Sequence, residues 1–154
     1  MTTWDGKIVY VKGNEVHVQF TSSTGQVFTK RYNERYTATL LQEKLDFIEA
    51  KQSTFEVIKT MVGMEFPIRE GWTFKFNYAH MPSDFIEIFC EITTPWQKFN
   101  KTYTVITVDS VQGLSDYIDN EILKVNTLID NVDLDGLSIY FRGEEVTLDG
   151  NYTQ

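Results

Sequence analysis

The chain has 154 residues, of which 42% are hydrophobic and 23% charged, with 22 acids against 14 bases and a net charge of −8. That is enough chain for one domain with its own core, and apolar residues throughout its length exclude a disordered polymer. A single cysteine, Cys90, excludes an internal disulfide, no apolar run reaches the roughly 18 residues of a membrane helix, and the acid excess works against binding a phosphate backbone.

The chain begins as a hairpin. Lys7–Lys12 and Glu15–Thr21 flank Gly13-Asn14, a two-residue turn that fixes the register. Lys12 should face Glu15, Val11 face Val16, Tyr10 face His17 and Val9 face Val18. Val9, Val11, Val16, Val18 and Phe20 then share one buried face. After the polar Ser22-Ser23-Thr24-Gly25, a third strand is predicted over Gln26–Tyr32, completing a three-stranded meander.

A helical stretch is predicted over Thr37–Val62. Leu41, Leu45, Ile48, Phe55 and Val62 recur on one helix face. Gln52 interrupts that stripe, and Ser53-Thr54-Phe55-Glu56 reads as a capping box, so a break near 52–54 is expected.

Three strands follow. Trp72–Ala79 alternates, with Trp72, Phe74, Phe76 and Tyr78 on one side. Asp84–Ile92 groups Ile86, Ile88, Cys90 and Ile92, and Thr102–Val108 is β-branched. The aromatic and isoleucine rows are expected to form one face beneath the helices. A second helix is predicted from Ser115, as N-cap, to Asn131, with Ile118, Ile122, Val125 and Ile129 as its apolar stripe. Two short strands, Leu137–Phe141 and Glu145–Leu148, close the chain. The fold class is therefore α+β: an N-terminal meander, helix, three-stranded antiparallel sheet, amphipathic helix and two C-terminal strands. One domain over 1–154 is expected, with a candidate N-terminal β subdomain over 1–33.

Candidate sites are sparse. Asn131-Val132-Asp133-Leu134-Asp135-Gly136 has the oxygen spacing that opens an EF-hand loop, but Arg142 stands where a bidentate glutamate belongs. An Asp-Gly turn into a strand is the simpler reading. His17 and His80 lack a second ligand at metal spacing. Cys90 sits in an isoleucine row, the setting of an inert thiol. Glu87 and Glu91 lie about 13 Å apart along a strand, wider than paired glycosidase carboxylates, and one of them suits a cross-strand pairing with Lys75. Lys30, Arg31 and Arg35 beside Tyr32 and Tyr36 form a small basic cluster, too little for a nucleic-acid surface in so acidic a chain.

The α-β-β-β-α-β-β order of about residues 37–148 resembles that of the small acidic chaperones of type III secretion. Three strands between two helices also resemble phage tail-terminator proteins. Both likenesses are of element order, without shared motif residues, and no family is assigned on them.

Charge is the most informative feature. Residues 1–108 carry 12 acids and 12 bases, whereas residues 109–154 carry ten acids and two bases, and so the whole net charge. No catalytic constellation, metal set or cofactor motif is legible. The expectation is a non-enzymatic protein-interaction module: an accessory, inhibitor, immunity-type or chaperone-like protein, or a phage structural component. It would act in the cytoplasm or in a viral particle, since the N-terminus lacks the plan of a signal peptide. Asp116, Asp119, Glu121 and Asp130 are its candidate contact residues for a basic protein partner, and self-association fits too. The alternative is a small-molecule-binding domain or enzyme with a pocket under the aromatic strand 72–78.

Overall fold

The computed structural model describes residues 1–95 and 103–142, without the side chains of 103 and 104. The chain divides into two units, Met1–Phe55 and Glu56–Gln154. Its class is mixed α+β, with an antiparallel three-stranded sheet first and an antiparallel four-stranded sheet second. No helix among the described residues is long and apolar enough to cross a membrane.

The first unit opens with β1 (Trp4–Lys12), β2 (Glu15–Ser22) and β3 (Val27–Tyr32), which form a meander in sequence order. The Gly13-Asn14 turn pins the register as expected from Lys12↔Glu15 to Tyr10↔His17. A bulge then intervenes, and Val18 pairs with Ile8 instead of Val9. The extra residue reverses the alternation of β1. Trp4, Gly6 and Ile8 therefore join Val18 and Phe20 on the covered face, and Val9 is 47% exposed. Val11 faces Val16 but lies near the hairpin tip and is 49% exposed, whereas Val16 is fully buried.

Helix α1 (Leu40–Lys59) runs unbroken through the expected interruption at 52–54. The reason is packing. Gln52 is buried and accepts a hydrogen bond of 3.0 Å from the Trp4 indole Nε1. Ser53 and Thr54 do not cap a new helix; their hydroxyls donate back to the carbonyls of Glu49 and Ala50. Gly6 lets the helix sit close to the sheet, since a Cβ there would meet Leu41 Cδ1 at 3.1 Å. Val62, assigned by spacing to the apolar stripe, lies beyond the helix and is 38% exposed.

The second unit is built on β4 (Glu65–Arg69), β5 (Trp72–His80), β6 (Ile86–Thr93) and β7 (Tyr103–Val108), each antiparallel to the next. The alternation pattern did not reveal β4, a short strand containing Pro67, and proline is tolerated there because β4 is an edge. A bulge between Phe76 and Tyr78 reverses the alternation of β5. Trp72, Phe74 and Phe76 point into the core with Ile86, Ile88, Cys90 and Ile92. Tyr78, expected in the same row, is 55% exposed, and Ala79 takes the inner position.

The N-cap of helix α2 (Val111–Asp130) lies five residues earlier than the expected Ser115. Ser110 is the N-cap, its Oγ accepting from Gly113 N at 2.9 Å. Leu114, Ile118 and Val125 are buried. Helix α3 (Leu134–Tyr140) replaces the strand expected at 137–141. Leu137 and Phe141 both lie one face deep in the core, at a spacing of four, and that helical repeat prevails over the local alternation of Leu-Ser-Ile-Tyr-Phe. The strand expected at Glu145–Leu148 lies outside the described residues.

Candidate functional site

Helix α2 presents its polar face away from the core. A helix turns about 100° per residue, which places Asp116, Asp119 and Asp130 within about 60° of one another. Leu123 falls on the same side and is 65% exposed. Asp116 accepts from Gln112 Nε2 at 2.9 Å, an i,i+4 pair with a neutral donor. Asp130 meets Arg69 Nη1 at 3.0 Å. Both members of that pair are open to solvent, and such a pair contributes little to stability.

Glu121 lies about 140° around the helix from Asp116, and its side chain is only 12% exposed. It accepts a hydrogen bond of 2.8 Å from the Tyr140 hydroxyl, and Lys124 Nζ stands 3.7 Å from the same oxygen. Glu121 therefore ties α2 to α3. The structure brings three of the four expected contact residues onto one face and turns the fourth toward the interior.

Beside that face lies an open groove of about 480 Å³. Ile106, Thr107 and Val108 of β7, Asp109 just after them, and Asp116 and Asn120 of α2 line it. Among the described residues, two carboxylates and no lysine or arginine line it. The groove was not legible in the sequence, because it depends on α2 starting at Ser110. The signal that could have revealed it is the Ser110-Val111 junction, a cap residue directly before an apolar one. Gly113 in the first turn obscured it.

The remaining candidates resolve into local structure. Asp133 caps α3, its Oδ1 accepting from Gly136 N at 2.8 Å. Gly136 is required for that approach, since a Cβ there would stand 2.5 Å from Asp133 Oδ2 and 2.7 Å from Leu128 Cδ2. His17 Nε2 meets Glu15 Oε2 at 2.8 Å and its ring lies 4.6 Å from that of Tyr10, as the hairpin register requires. His80 Nε2 stands 3.3 Å from Glu87, and the His80 ring stacks with those of Tyr78 and Phe89. Glu91 is in register with Lys75. In the basic cluster, Arg31 Nε meets Glu15 Oε1 at 3.1 Å, while Lys30 and Lys44 stand over the Tyr32 ring at 5.6 and 4.5 Å. No three His, Cys, Asp or Glu side chains among the described residues gather to hold a metal ion.

Beneath the aromatic row, Tyr117 of α2 packs on Phe74 and Phe141 on Trp72, with Phe76 fully buried. Cys90 lies in the same layer. Burial, and then the negative charge of Glu121, push its thiol up to about 12. An unfolded thiol ionises near 8.5, so between those values the unfolded chain binds fewer protons than the folded one and stability falls as pH rises. Thiol alkylation at pH 8.5 should accordingly be slow in the folded chain and fast in urea. Equal rates in the two conditions would show that Cys90 is accessible.

Comparison with known protein families, with curated proteins and with solved structures finds no match for this chain.

Proposed function

We propose that the chain is a non-enzymatic protein-interaction module that docks a basic partner on the acidic face of α2. The observation that carries this reading is the arrangement of Asp116, Asp119 and Asp130 around the exposed Leu123. A row of carboxylates flanking an exposed apolar residue is the layout of a surface that steers and then seats a partner of opposite charge. Among the described residues, Phe141 packs on Trp72 and Tyr117 on Phe74, which fills space under the aromatic row. An inhibitor or immunity-type protein, a chaperone-like accessory and a subunit of a phage particle would all use such a surface, and the partner's identity separates them.

The test is reversal of charge. The Asp116→Lys/Asp119→Lys variant should retain the fold, because both residues are exposed. A partner captured from the source cells by the native chain should bind this variant about tenfold more weakly or worse, with a flatter salt dependence. Undiminished capture would remove the α2 face from consideration.

A further inference from the structure

Among the described residues, a left-handed backbone falls to glycine at Gly13, Gly25, Gly63 and Gly71, and to larger residues at Val132 (φ 53°) and Arg142 (φ 59°). Those two bracket α3, each immediately outside a cap residue, Asp133 and Phe141. Val132 also closes α2. Its N–H donates to the Ile129 carbonyl at 3.0 Å, and that of Asp133 to the Leu128 carbonyl at 2.9 Å. These are the paired bonds of a helix end whose left-handed position ordinarily takes glycine. A β-branched residue is poorly suited to that conformation. The Val132 side chain is exposed, so no burial offsets the strain.

What enforces it is the seating of α3. Leu137 and Phe141 are buried, the Phe141 ring packs on Trp72, and the Tyr140 hydroxyl donates to Glu121. Burial, the bond to Glu121 and its charge push the Tyr140 phenol up, with contributions from Tyr117 and Cys90, so the thiol lies within electrostatic reach of α3. Strain that persists because surrounding packing over-determines it is found at elements that switch. We propose that α3 is a releasable strap, which unhinges at Val132 and uncovers Trp72 and Cys90 while α2 and the second sheet keep their fold. Release returns Val132 to an ordinary backbone and gives the Tyr140 hydroxyl to water. Both gains offset part of the cost of exposing Leu137 and Phe141. Glu121 keeps Lys124, 3.7 Å away, so its carboxylate is not left bare. The strap works whether or not a partner occupies the α2 face.

Cys90 is the probe. The full chain is treated with excess iodoacetamide in urea below its unfolding transition, and amide exchange is followed in parallel. Labelling should be slow and nearly independent of urea, because a local opening exposes little surface. Amides of Leu137–Phe141 should exchange about tenfold faster or more than those of Ile86–Ile92. Val132→Gly, which suits the left-handed backbone, should slow labelling about fivefold. Tyr140→Phe, which removes the bond to Glu121, should speed it about fivefold. A rate that climbs with urea from the first addition places exposure of the thiol in global unfolding and overturns the strap. Unchanged or faster labelling in Val132→Gly overturns the hinge, and with it the proposal. Amides in α3 as protected as those of β6 do the same.

Discussion

Phe76→Ala is expected to lower stability by about 3–5 kcal/mol, whereas Tyr78→Ala, two residues along the same strand, is expected to cost less than about 1 kcal/mol. Period-2 alternation alone would rank them together. The bulge between them separates their fates. Phe76 is fully buried among isoleucines and has no room to relax, so its removal costs both the lost transfer energy and the cavity left behind. Tyr78 already sees solvent over half its surface. It touches the rings of His80 and Phe89 at 5.6 Å, on the outer face of the sheet. Urea unfolding of the two variants measures the difference. Equal losses would mean that the strand keeps its regular alternation through residue 77.

In the first unit, Gln52→Leu is expected to destabilise by about 1–3 kcal/mol although it makes the core more apolar. Trp4 is 4% and Gln52 5% exposed. The indole N–H has left water and depends on the amide oxygen 3.0 Å away. Removing the acceptor strands a buried donor, which costs more than the hydrogen bond itself is worth in the folded chain. Trp4→Phe removes the donor, at the added cost of a smaller ring. The double variant should lose less than the two single variants together, because neither unpaired group then remains. Strictly additive losses would show that the indole finds another acceptor when Gln52 is gone.

Gln52 also shows why the sequence misled at that point. A polar residue in an apolar stripe reads as a break when its partner is 48 positions away, and nothing local announces Trp4. Ser53 and Thr54 reinforced the error, since hydroxyls that cap one helix can equally bond back within another. Where the signal was local and repeated, it was decisive. The Gly13-Asn14 turn gave the register of the first three pairs, and the isoleucine row of β6 gave its inner face. The bulges in β1 and β5 escaped notice because an extra residue leaves the composition of a strand unchanged. The two C-terminal errors have one cause in common: caps lie outside the periodic segment, at Ser110 and Asp133, where short-range patterns compete. Of the candidate surface, the clustering of charge in the last third of the chain was legible. Its division into an outward face and an inward Glu121 required the helix phase, and the groove required both the cap and the strand beside it.

The solitary thiol has a practical corollary. Cys90 is 1% exposed and its thiol is pushed up to about 12, so the native chain is expected to be nearly silent toward sulfhydryl reagents. A cysteine introduced at an exposed site becomes a unique handle without any need to delete the original. Fluorophores or spin labels placed singly along Val105 and Leu123 could then report which flank of the molecule a visitor approaches first.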